Sequence, residues 1–352
     1  MNNWRNICHR KTLIIAFFPS NIFWNIFPRA IWSSLRSCFM EDSCDTIGIA
    51  LEGISTQGSP YRTGLLTCIV IINVCWIVSI LTKNYSQVDK LWSIIPAVYV
   101  WFPVCDARTF IMACLVTIWG VRLTLNFNRR GGYQWPPWRG DEDYRWEIIR
   151  TGGFIKLLTN PVAWHIFNFG FVCVYQNLLL LLITSPSYVV YSMAISCSSS
   201  RNPLNALDMV ACILFLSFVT IESLADNQQF KFQTEKHRLK SANMNLTGEY
   251  SDGFKQSGLY AIVRKPNYAA EQAIWVTYYL FTIASGAGWR NWTGLGCLLL
   301  VQLFMLSGWF TETITRSKYP AYKGYMKRVP LYIPNPFAFH AISKVKIGRA
   351  HV

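Results

Sequence analysis

From Thr63 onward the chain alternates long apolar runs with polar loops, and this alternation restricts it to few folds. Most runs approach the ~20 residues that a helix needs to cross a bilayer. Backbone N–H and C=O groups in lipid must form their hydrogen bonds within the protein. Runs of this length meet that requirement as helices. We therefore predict an all-α, polytopic membrane helix bundle of about seven transmembrane helices, with spans at Leu65–Leu81, Leu91–Pro103, Thr109–Phe127, Val162–Thr184, Leu207–Ala225, Ala269–Gly286 and Trp292–Phe310.

Composition agrees with a membrane protein, since 52% of the 352 residues are hydrophobic and 14% are charged. Soluble proteins have about 25% charged residues. The net charge of +15 lies mainly in the connections 128–161 and 226–268 and in the tail from Thr311. Cytosolic loops are enriched in Lys and Arg, so these connections and the C-terminus are expected in the cytosol. No nucleic-acid-binding motif accompanies the charge, and nucleic acid is not an expected partner.

The chain divides into three parts. Residues 1–62 are predicted to be an N-terminal extension, interfacial or poorly ordered, with a polar, Gly-rich linker at Asp45–Pro60. Residues 63–335 form the transmembrane domain, and 336–352 form a basic tail. The short apolar stretch Tyr188–Ile195 is assigned to the loop after the fourth span. Eleven scattered cysteines without a CxxC pair favour neither a disulfide framework nor a metal site.

The segment from Arg264 to Glu271 is the strongest candidate for a site. Ionisable groups at a membrane boundary are costly and indicate function rather than packing. Pro266 disfavours a helical conformation at Lys265, so a new helix is predicted to begin near Tyr268. The first amides of that helix would face any anion that the two cations attract. The pattern indicates a site for a phosphate-bearing cofactor.

Other polar clusters fall on the same predicted face. Glu222 and Asp226 lie four residues apart on one helical face, at the predicted end of span five. Further clusters occur at Asp89–Ser93, Gly140–Trp146 and Glu312–Pro330. Each also has a purely structural explanation. Four such explanations remain open: a helix-start pair, a cap of an interfacial helix, an ion pair that serves folding, and a tail that contacts anionic lipid.

In order along the chain, these motifs resemble the steroid 5-alpha-reductase family, and in particular its uncharacterised branch. The resemblance extends from Asp89 to Pro334. Its C-terminal signature of Gly-Leu-Tyr, then Pro-Asn-Tyr, then Glu and Trp corresponds to Gly258–Trp275. The other matching motifs are Asp89…Trp92-Ser93, Glu142-Asp143-Tyr144-Arg145, Ala225-Asp226-Asn227-Gln228 and Tyr322…Tyr325…Arg328…Pro334.

The resemblance implies an endoplasmic-reticulum membrane enzyme that binds NADPH from the cytosol. Such an enzyme reduces a conjugated C=C bond of a lipophilic, steroid-like or lipid substrate. The resemblance also implies that Asp226, Asn267 and Glu271 line the cofactor pocket. Tyr144 is our candidate proton donor, because a phenol can protonate a developing enolate. The cofactor site is completed by residues at the turn and in the tail that are expected to hold the phosphates or flank them: Arg264, Lys265, Tyr268, Lys327 and Arg328.

Two other functions stay open. Isoprenylcysteine carboxyl methyltransferases and phospholipid methyltransferases also carry an Arg-X-Pro-X-Tyr turn, here Arg264–Tyr268, and an acidic residue before a Tyr-rich tail. In that case the cofactor is S-adenosylmethionine, with Glu312 as a further ligand. The third possibility is a lipid- or sterol-binding membrane protein without catalysis, since a fold does not fix a function. A lipophilic small molecule and the bilayer are expected partners in each case.

Overall fold

The computed structural model describes residues 46–136, 138–153, 155–196 and 203–334, and this part of the chain is helical, as predicted. Short 3-10 turns occur at Lys156–Thr159 and Gly258–Ala261. The helices are α1 Thr46–Ser55, α2 Pro60–Thr82, α3 Gln87–Leu91, α4 Ile95–Trp101, α5 Ala107–Asn128, α6 Tyr144–Arg150, α7 Pro161–Ser196, α8 Ala206–Ser241, α9 Glu249–Asp252, α10 Pro266–Ala284, α11 Gly294–Lys318 and α12 Tyr322–Arg328.

Five of these helices, α2, α5, α7, α8 and α11, are long and apolar enough to cross a membrane. The second predicted span, Leu91–Pro103, is not one long helix. It begins at the last residue of α3 and contains the short helix α4, with Pro96 in the first turn of α4. The sixth corresponds to the 19-residue helix α10, which is not among the five. The chain is thus a multi-pass helical bundle, and the predicted count of seven spans is not confirmed.

Two predicted loops prove to be helical. Tyr188–Ile195 continues α7, which runs through Pro186 to Ser196, so its assignment to a loop was wrong. The predicted linker contains α1, where Ala50 packs with Tyr61 and Tyr188 in a small apolar cluster. Tertiary contacts of this kind override the weak helix propensity of a Gly-rich segment. The predictions for residues 1–45 and 336–352 lie outside the described residues.

Helices α5 and α8 lie side by side and run in the same direction. Each begins with a capping box, formed by Asp106 with Thr109 and by Asn205 with Asp208. The two starts are joined by an ion pair from Arg108 to Asp208 at 2.8 Å. At the other end of α5, Arg122 reaches the carboxylates of α8. The parallel arrangement therefore places an arginine of α5 against carboxylates of α8 at each end of the α5–α8 contact.

Helix α10 lies at the centre of the bundle and packs against α5, α7, α8 and α11. Its core side chains include Ile274, Trp275, Tyr278 and Phe281, each fully buried. Pro266 is its first residue and Lys265 is non-helical, so the predicted helix start is confirmed to within two residues. The first turns of α10 therefore face α5 and α8 from the middle of the protein.

Helix α8 has 36 residues and is roughly 54 Å long at 1.5 Å per residue, well beyond a bilayer core of about 30 Å. Its first half is apolar, and its second half is rich in Lys, Arg, Gln and Glu. Glu222 and Asp226 lie where the two halves meet. The predicted span end at Ala225 is thus a change of side-chain character inside one continuous helix.

Candidate functional site

A single arginine gathers carboxylates from two other helices. Arg122 Nη1 donates to Asp226 Oδ2 at 2.9 Å, and its Nη2 donates to Glu222 Oε2. Glu271 Oε2 from α10 lies 3.8 Å from the same Nη2. The three carboxylate residues are each no more than 5% exposed. Buried charges require partners of opposite sign, and here one guanidinium serves three acids.

Glu271 is held by two indoles as well as by the arginine. Trp119 Nε1 donates to Glu271 Oε2 at 2.8 Å, and Trp275 Nε1 donates to Oε1 at 3.0 Å. The two indole rings meet edge to face, with centroids 5.0 Å apart. Hydrogen bonds to a carboxylate favour its charged form. The carboxylate of Glu271 is thus fixed in position by α5 and by its own helix.

Amide groups complete the surroundings of Asp226. Asn126 Nδ2 donates to Asp226 Oδ2 at 2.8 Å, and Asn267 Nδ2 donates to Oδ1 at 3.3 Å. Arg130 Nη2 also lies 3.3 Å from Oδ1. The two helical carboxylates predicted to share one face do so, and both point at Arg122.

An open groove of about 480 Å³ lies beside this cluster, between α5 and α8. Its walls include Val121 and Leu125, and its polar end includes Asn126, Arg129 and Asp226. Arg122 also lines the groove, and its buried Nε–H has no hydrogen-bond partner among the described residues. A buried donor without a hydrogen bond is rare and costs free energy, so a ligand atom that accepts a hydrogen bond from Nε would be stabilising here.

The turn before α10 brings a second polar group together. Lys265 Nζ donates to Thr311 Oγ1 at 2.7 Å and lies 5.2 Å from the centre of the Tyr268 ring. Arg145 from α6 forms an ion pair with Asp143 at 2.7 Å and donates to Ser307 Oγ at 3.0 Å. Burial lowers the pKa of Lys265. Cations from α6 and from the turn thus lie near α11.

Tyr144, the predicted proton donor, belongs to this second group and not to the Arg122 cluster. It begins α6 and keeps 54% of its surface exposed. Desolvation, followed by the neighbouring Asp143 carboxylate, raises the pKa of Tyr144. The phenol is therefore protonated at neutral pH. The predicted clusters around Asp89 and Glu142 adjoin α6, where Asp89 Oδ2 accepts from Trp146 Nε1 at 2.9 Å.

Arg264 forms a clamp between the turn and the C-terminal segment. Its Nε and Nη2 donate to the two oxygens of Glu312 at 2.5 and 3.0 Å. Its Nη1 donates to the carbonyls of Met326 and Val329. Tyr322 Oη also donates to Glu312, at 3.0 Å. The guanidinium predicted to hold a phosphate is therefore largely committed to protein acceptors in this structure.

The predicted residues thus separate into three places. Asp226, Asn267 and Glu271 meet around Arg122, whereas Lys265 and Tyr268 lie near α6 and α11. Arg264 lies in the clamp. The side chains of Lys327 and Arg328 are exposed on α12, whose Tyr322 and Tyr325 face inward. Cofactor binding by any of these residues stays a prediction.

Sequence reasoning missed Arg122, Trp119 and Asn126. The available signal was a lone arginine inside the apolar run Thr109–Phe127, with an asparagine four residues later. A cation inside a membrane span faces the bundle interior and needs a partner. The carboxylates of Glu222 and Asp226 were the natural partners to propose for it.

Comparison with known proteins gives two matches. The model of a family described as a protein of unknown function (DUF1295) matches residues 75–329, which include the whole Arg122 cluster. An uncharacterised protein of Schizosaccharomyces pombe is 33% identical over 294 residues, covering 78% of this chain and 80% of that protein. No solved structure matches the chain.

Proposed function

The chain belongs to the DUF1295 family, in the steroid 5-alpha-reductase-like group, and on this premise we propose that it is a membrane-embedded, NADPH-dependent reductase. Its proposed substrate is a lipophilic molecule with a conjugated C=C bond. The observation that carries the proposal is the convergence of Asp226, Asn267 and Glu271 beside the groove. These are the residues that the resemblance implies for the cofactor pocket, and they come from two different helices.

The residues around the groove fit a nicotinamide cofactor chemically. Its volume of about 480 Å³ lies within the range of roughly 300–1,000 Å³ that is usual for ligand pockets. The unpaired Nε–H of Arg122 offers a donor to a ligand oxygen. Asp226, which lines the groove, and Asn267, which is hydrogen-bonded to it, offer an acceptor and an amide to ribose hydroxyls or a carboxamide. Arg129 and Arg130, both exposed, supply positive charge for phosphates.

When bound, NADPH supplies the hydride. The chain itself contributes orientation, through the fixed carboxylates of Asp226 and Glu271, and a dry environment between apolar helices. Tyr144, at the start of α6 and outside the Arg122 cluster, remains the proposed proton donor, since its phenol holds a proton at neutral pH. Because Arg264 is enclosed in its pair with Glu312, whereas the side chains of Arg129 and Arg130 are exposed, we assign the phosphate-binding role first to Arg129 and Arg130, ahead of the residues at the turn.

The test is a ligand screen by thermal shift on the detergent-purified protein, with NADPH, NADP and S-adenosylmethionine in parallel. We expect the nicotinamides to raise the unfolding temperature and S-adenosylmethionine to leave it unchanged. Asn267→Ala and Glu271→Ala should weaken the NADPH shift, whereas Asn73→Ala, on the exposed side of α2, should keep it. Stabilisation by S-adenosylmethionine alone would identify a methyltransferase, and no response to any ligand would favour a non-catalytic lipid-binding protein.

We also propose that the protein resides in the endoplasmic reticulum with its basic connections and C-terminus in the cytosol. The support is the charge of the connection 128–161, which carries Arg129, Arg130, Arg139, Arg145, Arg150 and Lys156. Protease added to sealed microsomes should cleave this connection. Full protection of the connection, with cleavage only after the membrane is permeabilised, would reverse the orientation.

A further inference from the structure

Glu222 and Glu271 share one nitrogen of one arginine. Both side chains approach Arg122 Nη2 through their Oε2 atoms, and the two residues are 5% and 3% exposed. The other terminal nitrogen of Arg122 is bound to Asp226. Two carboxylates that share a buried site cannot both ionise without a large cost. The arrangement therefore raises the question of which acid carries a proton.

The charges facing the cluster do not balance. Helix α5 contributes Arg122, α8 contributes Glu222 and Asp226, and α10 contributes Glu271. Arg130 follows α5 and lies 3.3 Å from Asp226. Arg129 donates to the amide oxygens of Asn126 and Asn227, and its exposed charge is screened by solvent.

Within the described residues, two arginines thus contact three carboxylates. Arg130 reaches Asp226 alone, so the excess negative charge falls on the pair formed by Glu222 and Glu271.

The hydrogen bonds distinguish the two acids. Glu271 accepts hydrogen bonds from Trp119 and Trp275, one at each carboxylate oxygen, and lies 3.8 Å from Arg122 Nη2. Glu222 accepts from Arg122 alone among the described residues, through Oε2. Its Oε1 has no donor in this part of the chain. A proton is therefore best accommodated at Glu222 Oε1.

We propose that Glu222 is a protonated carboxylic acid at neutral pH, and that it releases its proton when the oxidised cofactor binds in the groove lined by Arg122 but not when the reduced cofactor does. This rests on the proposed function. The nicotinamide ring is neutral in NADPH and positively charged in NADP. On release the O–H bond of Glu222 breaks, the electron pair stays on Oε1, and the proton passes to water.

Such a response would keep the net charge of the buried site constant through a reaction cycle. The cluster with neutral Glu222 matches the uncharged ring, and the cluster with ionised Glu222 matches the cationic ring. Glu222 is in this sense a charge-balancing residue and separate from Tyr144, the predicted donor to the substrate. It returns to the neutral acid by taking a proton from water when the oxidised cofactor leaves.

The first experiment is infrared spectroscopy of the purified full-length protein without ligand. Wild type should show the C=O band of a protonated carboxylic acid at neutral pH, and Glu222→Gln should remove it. The control Glu235→Gln changes an exposed acid on the same helix and should leave the band unchanged. A difference spectrum of wild type minus Glu222→Gln that lacks this band overturns the proposal.

Stability gives a second measurement. Glu222→Gln exchanges a neutral acid for a neutral amide, so its unfolding temperature should stay close to that of wild type. Asp208→Asn breaks a one-to-one buried pair with Arg108 and should lower the unfolding temperature clearly. An equal loss in both variants would mean that Glu222 is ionised.

The third experiment measures proton release with a pH indicator in weakly buffered solution. NADP should release protons from wild type and not from Glu222→Gln, whereas NADPH should release none from either protein. Equal release with both cofactors would overturn the coupling. If neither nicotinamide shifts the unfolding temperature, the proposed reductase function fails, and the infrared band still decides the protonation of Glu222 independently.

Discussion

Arg122 and Asp226 are 104 residues apart in the chain and meet through a hydrogen bond of 2.9 Å inside the bundle. The bond links α5 to α8, and the same guanidinium reaches Glu271 on the central helix α10 at 3.8 Å. Three helices are thus fixed to one another at one point. The open groove borders that point, and Arg122 lines it, so this side chain contributes directly to the geometry of the groove.

Replacing Arg122 with Ala should therefore be severe. It leaves three buried acidic residues, of which Asp226 alone contacts another cation, Arg130, and breaking a buried ion pair typically costs about 3–5 kcal/mol. We expect a large drop in the unfolding temperature in detergent. Arg316→Ala removes an exposed arginine of α11 and should change it little. Equal effects of the two substitutions would show that the cluster contributes no specific stability.

The indole donor of Trp119 can be tested with a closely matched control. Trp119→Phe removes the N–H that donates to Glu271, and a hydrogen bond to a charged group contributes about 1.5–3 kcal/mol. Trp164 is 3% exposed, and its buried Nε1 has no partner among the described residues. Trp164→Phe causes the same loss of ring volume without a lost hydrogen bond. The free energy of unfolding should thus fall more in Trp119→Phe, and equal losses would assign the effect to packing alone.

The sequence was sufficient to predict the helical class, the start of α10 and the shared face of Glu222 and Asp226. Each of these depends on local rules, such as apolar run length, the effect of proline on its predecessor and the spacing of helical turns. The fate of the second span was harder to predict, because Pro96 lies in an apolar run too short to judge by length. The short helix α4 that forms there packs against α5 and α7, and sequence length does not reveal such contacts.

The centre of the site could not be predicted in the same way. Arg122 contacts residues about a hundred positions away, and periodicity contains no information about such contacts. The clamp was hidden for the same reason, since Arg264 looks like an anion-binding residue until Glu312 is seen opposite it. The rule that a buried charge needs a partner could have suggested these pairs, but it was not applied to either arginine.

The clamp predicts a specific local opening. Glu312→Gln leaves Arg264 without its buried counter-charge, and breaking such a pair typically costs about 3–5 kcal/mol. The segment around α12 should then detach more readily, and trypsin should cleave faster at Lys323, Lys327 and Arg328. Tyr322→Phe removes one hydrogen bond, worth about 0.5–1.5 kcal/mol, and should accelerate cleavage less. Unchanged cleavage in Glu312→Gln would show that the clamp does not hold α12.

The partly buried amine of Lys265 predicts a dependence of stability on pH. Because burial lowers its pKa in the folded state, the unfolded chain binds more protons between that pKa and the ordinary lysine value of about 10.4. The free energy of unfolding should therefore rise with pH across this interval. This gain should be complete above the ordinary lysine value and should be lost as the pH falls through the folded pKa. Unfolding temperatures across alkaline pH should show this slope in wild type and a smaller one in Lys265→Met. Lys323→Met, at an exposed position, should keep the wild-type slope, and identical slopes in all three proteins would mean that Lys265 titrates as it does in the unfolded chain.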